Sequence, residues 1–284
     1  MMALAVALIA NPLHAGDRLD VVASFSILAD LVRSVGGDHV NVTSLVGPNG
    51  DVHVYTPAPQ DAKTVAKARL VVINGLGLEG WLPRLLRSSG SKAPIIAASR
   101  GVIPLKLGSQ ADPHAWQSVE NTKIYVKNIC EALVEADPND ADYFRHRADR
   151  YLGELDALDR EVRDAVDKIP LERRKVISTH SAFGYFAKEY GIAFIAPLGV
   201  STESEPSARD IATIISQIKR DKVQAVLLES VSDERMMRRI SAETGASVGG
   251  TLYSDSLTDE NGAAPTYIAM IRHNIKALTS ALGR

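Results

Sequence analysis

Short apolar segments alternate with helical patterns along most of the chain, and this alternation limits the folds open to it. The first half has strand-like segments at 19–24, 40–46, 70–73 and 94–98. The second half repeats the pattern at 175–178, 193–196, 225–228 and 247–249. Short buried strands that alternate with helices form parallel sheets covered on both faces. We therefore predict an α/β protein with mainly parallel sheets.

One long helical pattern separates the two halves. It starts at Asp137 and Pro138, a typical helix start, and Pro170 ends it. Apolar residues recur in it at spacings of three and four, which gives a single stripe: Phe144, Ala148, Tyr151, Leu155, Leu158, Val162, Ala165 and Ile169. At about 1.5 Å per residue, a rigid helix of about 48 Å would join two lobes. The predicted organisation is an N-terminal α/β lobe at 16–136, a linking helix at 137–170 and a C-terminal α/β lobe at 171–284.

The chain opens with the apolar run MALAVALIA at 2–10, and the segment NPLHA leads from it to the small residues Ala15 and Gly16. The run is too short to cross a bilayer, which needs about 20 apolar residues. It is typical of a secretory signal peptide, which we place at 1–15, and it predicts export to the periplasm. A buried N-terminal helix is the alternative. No later stretch is long and apolar enough to span a membrane, so we expect no stable membrane insertion.

Charge and cysteine content exclude several classes of protein. The formal net charge is −2, so the chain has no basic surplus with which to neutralise nucleic-acid phosphates. Cys130 is the single cysteine, which excludes an internal disulfide and any all-cysteine metal site. It lies in an apolar helical pattern, which predicts a buried and inert thiol.

Three of the seven histidines lie in segments rich in turn residues or at strand ends. They are His53, His114 and His180, and Asp255 lies in a similar loop after the segment at 247–249. Ligands of open parallel sheets collect at the carboxyl ends of strands, so these four side chains are candidate metal ligands, two from each half. Taken singly, each histidine is better explained as a structural residue, and no local metal motif such as HExxH is present.

Four motifs around these residues resemble segments of one protein family when they are taken together and in order. They are DVHVYTP at 51–57, DPHAW at 112–116, THSAFGYF at 179–186 and GGTLYSDSL at 249–257. The chain resembles the metal-binding solute-binding proteins of bacterial zinc/manganese ABC transporters, the cluster A-I group, in its zinc type. The resemblance covers nearly the whole chain after the first residues. Val52 departs from the family, which commonly has proline there, and 103–112 lacks the histidine-rich insertion of many zinc members.

The resemblance implies two α/β lobes joined by one long helix, with a metal ion between the lobes. It implies His53 and His114 as ligands from the first lobe, and His180 and Asp255 from the second. It also implies a periplasmic protein, expected to act as a monomer, that delivers its metal to the membrane permease of an ABC importer. Lobe movement that separates one ligand pair from the other would release the ion.

Three imidazoles and one carboxylate suit zinc, which takes four nitrogen or oxygen ligands in a tetrahedron. Manganese or iron is the alternative, since family members with a carboxylate in place of His180 more often bind those metals. Four protein ligands leave no open position for an activated water, so we predict a binding protein and not an enzyme. A periplasmic zinc metallochaperone, a zinc hydrolase and a binder of organic solutes remain rival hypotheses. For residues that orient the histidines, the sequence suggests Asn74, Glu203 and Glu229.

Overall fold

The computed structural model describes residues 18–283. The predicted signal peptide at 1–15 lies outside the described residues. Within residues 18–283, none of the helices combines the length and the apolar character that crossing a membrane requires.

The first sheet consists of four parallel strands, β1 (Leu19–Phe25), β2 (Val40–Val46), β3 (Leu70–Ile73) and β4 (Ile95–Ala97). Their order across the sheet is β2-β1-β3-β4. Every residue of β1 except Asp20 is buried, as expected of a central parallel strand with both faces covered. The connecting helices are α1 (Ser26–Gly36), α2 (Pro59–Lys67) and α3 (Leu82–Ser89).

A short antiparallel hairpin and two long helices follow. The hairpin pairs β5 (Lys106–Leu107) with β6 (Gln110–Ala111), and the helices are α4 (Val119–Ala136) and α5 (Ala141–Asp167). The long helix α5 has 27 residues, so it measures about 40 Å. It begins later than predicted, because Pro138–Asp140 form a 3₁₀ turn. The carboxylate of Asp137 accepts the N–H of Asn139 and caps that turn.

The second sheet is also parallel and contains β7 (Lys175–Ile177), β8 (Ala193–Ile195), β9 (Ala225–Glu229) and β10 (Ser247–Leu252). Its order is β10-β9-β7-β8. In both sheets the strand that comes first in the chain lies between the second and the third, so the two halves share one topology. The helices of this half are α6 (Gly184–Tyr190), α7 (Ala208–Asp221), α8 (Glu234–Thr244) and α9 (Tyr267–Leu282). The α/β class with parallel sheets is confirmed.

One continuous hydrophobic core extends across both halves, and α5 lies along it. Seven of the eight predicted stripe residues are buried, and Ala165 is half-buried while its neighbour Val166 is buried in its place. The helices α1, α4 and α9 pack against α5. Two smaller clusters lie on the outer faces of the sheets, one in each half. The long helix therefore ties together the segments that carry the two sheets.

Candidate metal site

The four predicted ligands lie on four different loops. His53 follows β2, His114 follows the β5–β6 hairpin, His180 follows β7 and Asp255 follows β10. Loops at the carboxyl ends of parallel strands gather side chains at one edge of each sheet. The structure brings one possible ligand atom from each of the four residues to within 4.8 Å of the others.

The spacing of these atoms matches that of a coordination shell. Nε2 of His114 lies 3.2 Å from Nε2 of His53 and 3.3 Å from Nε2 of His180. Oδ2 of Asp255 lies 3.6 Å from Nε2 of His53 and 3.1 Å from Nε2 of His180, and Oδ1 lies 3.4 Å from Nε2 of His114. Four atoms placed about 2.0–2.2 Å from the centre of a tetrahedron lie about 3.3–3.6 Å from one another. A four-coordinate ion fits between these side chains.

The burial of Asp255 also points to a cation. The residue is 0% exposed, and both carboxylate oxygens are buried and accept no hydrogen bond from the residues that the structure describes. A buried carboxylate without a hydrogen-bond donor is strongly destabilising unless a positive charge lies beside it. A divalent ion between Asp255 and the three imidazoles would supply that charge.

Two further carboxylates contact His114 and His180 on the side of each ring that faces away from the cluster. Oδ1 of Asp112 accepts the main-chain N–H of His114 and lies 2.8 Å from its Nδ1. Oε1 of Glu229 accepts the main-chain N–H of His180, while Oε2 lies 2.5 Å from Nδ1 of the same residue. A proton on Nδ1 of His114 would donate to Asp112, and Oε2 of Glu229 lies beside Nδ1 of His180, so Nε2 of each ring faces the centre of the cluster. These contacts orient both rings.

His53 is held differently. Oδ1 of Asp51 accepts its main-chain N–H at 2.8 Å, but no carboxylate within residues 18–283 contacts its ring Nδ1. Its exposed fraction is 7%, whereas His114 and His180 are both at 0%. Among the three imidazoles, His53 therefore has the weakest orientation by the protein and the most access to solvent.

The electrostatics of the site keep Asp255 ionised. Burial raises the pKa of its carboxyl, but the surrounding histidines outweigh burial and lower that pKa. Burial lowers the pKa of His53 to about 4, and Asp255 offsets this only in part. Burial would also lower the pKa of His180, yet Glu229 and Asp255 outweigh it and raise this pKa well above its ordinary value.

The three residues suggested for orienting the histidines have different positions. Glu229 contacts His180 as described above. Asn74 donates to the carbonyl of Pro113, next to His114, and does not reach the ring. Glu203 is exposed, so the suggestion that it orients a ligand is wrong. The roles of Asp112 and Asp51 were not predicted, although the sequence carries a local signal for them.

That signal is the spacing Asp-x-His, which occurs at 51–53 and again at 112–114. Aspartate side chains readily accept the main-chain N–H two residues later, which fixes a turn. In both loops the aspartate makes this hydrogen bond to the histidine. The Asp-x-His spacing alone therefore indicates that the aspartate of each loop fixes the backbone of its histidine.

The other described histidines and the cysteine lie away from the cluster. Nδ1 of His39 lies 2.7 Å from a carboxylate oxygen of Asp140, and its ring stacks on Tyr143. His146 is exposed on α5, and His273 contacts the carbonyl of Thr251. Cys130 is half-buried and not fully buried as predicted, and burial raises the pKa of its thiol.

The fold and the cluster together define a metal-binding protein of the solute-binding type that serves ABC transporters. A model of the family described as zinc-uptake complex component A, periplasmic (ZnuA), matches residues 21–281. The match covers most of the chain, and the chain belongs to this family.

Relatives in the family carry names that refer to different metals. The iron-binding protein YfeA of Yersinia pestis is 33% identical over 279 residues, which cover 96% of this chain and 89% of YfeA. The manganese-binding lipoprotein MntA of Halalkalibacterium halodurans is 32% identical, with 95% and 90% of the two chains covered. The periplasmic zinc-binding protein TroA of Treponema pallidum superposes with a TM-score of 0.90 at 31% identity, covering 94% of this chain and 100% of TroA.

Proposed function

We propose that this protein binds one divalent transition-metal ion through His53, His114, His180 and Asp255, and that zinc is its cargo. The observation that carries the proposal is the buried carboxylate of Asp255, which has no hydrogen-bond donor and lies within 3.1–3.6 Å of three imidazole nitrogens. Three nitrogen ligands favour zinc over manganese and iron(II). The separations between the donor atoms, 3.1–3.6 Å from Asp255 to the imidazoles and 3.2–3.3 Å from His114 to the other two, are compatible with a four-coordinate shell, which zinc adopts readily.

Manganese or iron is the second candidate cargo, since YfeA is named as iron-binding and MntA as manganese-binding. Both metals bind well to oxygen-rich sites, and one carboxylate among three imidazoles is a modest oxygen content. Because zinc binds more tightly than manganese at most such sites whatever the cargo, uptake by cells distinguishes the two. We expect cells that lack the protein to lose zinc uptake, and a loss of manganese or iron uptake with normal zinc uptake would reverse the assignment.

We further propose that the protein works in the periplasm, as two lobes at 16–136 and 171–284 joined by the segment 137–170, and passes its ion to the permease of an ABC importer. Family membership supports this role. Four protein ligands leave no position for an activated water, which argues against a hydrolase. A metallochaperone without a transporter is the remaining rival. Metal uptake by cells that lack the protein would be normal under that rival and impaired under the transport proposal.

The direct test is the metal content and affinity of the purified protein. We expect one metal per chain in the wild type, and a loss on the order of several kcal/mol of binding free energy in His180→Ala and in Asp255→Ala, because each removes a ligand. His146→Ala is the matched control, since His146 is exposed on α5. Wild-type protein that takes up no metal from micromolar zinc would refute the proposal.

A further inference from the structure

One carboxylate at the site connects the two halves of the chain. Oδ1 of Asp51 accepts the main-chain N–H of His53 at 2.8 Å, and Oδ2 accepts the hydroxyl of Thr202 at 2.7 Å. Thr202 lies in the loop between β8 and α7, 151 residues away in sequence. The same side chain that holds the loop of His53 is therefore held by the opposite half.

Buried hydrogen bonds close the other sides of the cluster. The indole N–H of Trp116 and the amide of Gln117 both donate to the carbonyl of Ser254, at 2.9 and 2.7 Å. These bonds anchor the loop of Asp255 to the first half. The hydroxyl of Tyr185 donates to the carbonyl of Asp112 at 2.9 Å and joins α6 to the loop of His114.

The side of the cluster next to Asp51 is more open to solvent. Asp51 and Thr202 are both half-buried, and they line a cavity of about 510 Å³ that opens to solvent. The cavity also reaches Thr179, the residue directly before His180. Of the hydrogen bonds that the described residues make, the one from Thr202 is alone in joining the loop at 199–206 to the first half. The side of the site at this cavity is its open edge, and the hydrogen bond from Thr202 to Asp51 is the one bond within residues 18–283 that spans it.

His53 is the ligand that depends most on this bond. His114 and His180 each have a carboxylate beside ring Nδ1, but His53 is held through its backbone, by Asp51 at its own N–H and by the Trp81 indole at the carbonyl of Val52. Release of Thr202 would leave Asp51 with one of its two hydrogen bonds and loosen this part of the loop, while the N–H of Asn49 would still donate to the carbonyl of Leu257 in the second half. The loop of Asp51 and the loop of Thr202 would then separate beside His53, the most exposed of the proposed ligands.

We propose that Thr202 is a positioning residue that slows the release of bound metal by holding Asp51 across the open edge of the site. This inference rests on the proposed metal-binding function. Thr202 does not contact the ion, so its removal changes the rate of metal release and leaves the set of ligands unchanged. A hydrogen bond to a charged group, partly exposed to water, corresponds to a change of roughly 5- to 20-fold in that rate.

The test compares the full chain as wild type, Thr202→Val, Thr202→Ser and Thr213→Val. Valine keeps the shape of threonine but has no hydroxyl, and serine restores the hydroxyl. Thr213 is the matched control, because its hydroxyl donates to the carbonyl of Arg209 within the exposed part of α7. Zinc release is followed by stopped flow with an excess of a chromogenic chelator. The absorption spectrum of bound Co²⁺ reports the coordination shell in each variant.

We expect Thr202→Val to release zinc roughly 5- to 20-fold faster with an unchanged Co²⁺ spectrum, and Thr202→Ser and Thr213→Val to match the wild type. Thr202→Ala repeats the truncation with a smaller side chain and should behave as the valine variant does. Release from both truncations within about twofold of wild type would overturn the inference. An altered Co²⁺ spectrum, or a serine variant as fast as valine, would also overturn it. Wild-type protein that binds no metal would instead refute the proposed function.

Discussion

Each of the three histidines of the cluster has one carboxylate that accepts its main-chain N–H, and the three carboxylates differ in their other contacts. Asp112 and Glu229 each contact both the main-chain N–H and ring Nδ1 of their histidine. Oδ1 of Asp51 accepts only the main-chain N–H of His53, and Oδ2 accepts the hydroxyl of Thr202. At the scale of single residues, two imidazoles are fixed for binding and the third is linked to the opposite half.

The contacts of Glu229 predict that Glu229→Gln weakens metal binding. The glutamine carbonyl can still accept the N–H groups of Thr179 and His180, so the backbone stays in place. Its amide would turn a donor toward Nδ1 of His180 and favour the tautomer with the proton on Nε2, the atom proposed to bind the ion. We expect a 10- to 100-fold loss of zinc affinity, an order of magnitude typical for such partners, measured by chelator competition.

Glu203→Gln is the control for this prediction, because Glu203 is exposed and does not contact a ligand. Its zinc affinity should equal that of the wild type. Equal affinities in both variants would show that Glu229 has no influence on the metal, and that its role is confined to the backbone of 179–180.

A second residue-scale prediction concerns Asp30, which lies on α1 away from the cluster. Burial raises the pKa of Asp30 to about 6 from 3.8, although its carboxylate accepts the N–H of Tyr267. The folded state therefore binds more protons than the unfolded state between these values, and stability falls as pH rises through about 6. Asp30→Asn keeps an acceptor for Tyr267 and removes the buried charge.

We expect Asp30→Asn to be more stable than wild type at pH 7.5 by about 3 kcal/mol, since the pKa shift is about two units at 1.36 kcal/mol each. The difference should vanish near pH 4, where both folded proteins are neutral at this position. Urea unfolding of the metal-free proteins across this range measures it, with the exposed Asp164→Asn as control. A difference that does not depend on pH would contradict the assigned pKa.

At the scale of elements, the apolar pattern of the sequence predicts the buried strands and helices but not the elements that lie exposed at the surface. Every strand of the two parallel sheets was predicted to within a few residues, because buried parallel strands are short apolar runs. The β5–β6 hairpin was not predicted, since Lys106, Leu107 and Gln110 are exposed and carry no alternating pattern. The start of α5 was misplaced because Asp137 caps a 3₁₀ turn, and composition alone does not separate such a turn from an α-helix.

The stripe on α5 predicts a large cost for Leu158→Ala. Leu158 is 0% exposed in the core shared by both halves. Removing its side chain loses buried apolar surface and leaves a cavity, which costs about 2–5 kcal/mol in the free energy of unfolding. Urea unfolding measures this cost. Arg160→Ala, on the exposed face of the same helix, should change stability by less than about 0.5 kcal/mol. Similar small effects in both variants would show that α5 is not part of the core.

At the scale of the whole molecule, the cluster depends on long-range arrangement that no local pattern contains. Each ligand lies after a strand or hairpin, which the sequence indicates, but which loops face one another is decided by how the two sheets meet. The resemblance to a family supplied that information, and the structure brings the same four residues together. The contacts of Asp112 and Asp51 with the histidines could be predicted from the Asp-x-His spacing. The hydrogen bond from Thr202 to Asp51, 151 residues apart, could not.

Because the four ligand atoms come from loops across the whole chain, metal binding should stabilise the whole fold. An ion that binds only the folded state at about 1,000 times its dissociation constant contributes about 4 kcal/mol. For a chain of this length, that corresponds to a rise of about 7 °C in the unfolding temperature, measured by calorimetry with and without zinc. His180→Ala and Asp255→Ala should lose most of the rise, and His146→Ala should keep it. A rise that persists in both ligand variants would locate the stabilising metal somewhere other than this cluster.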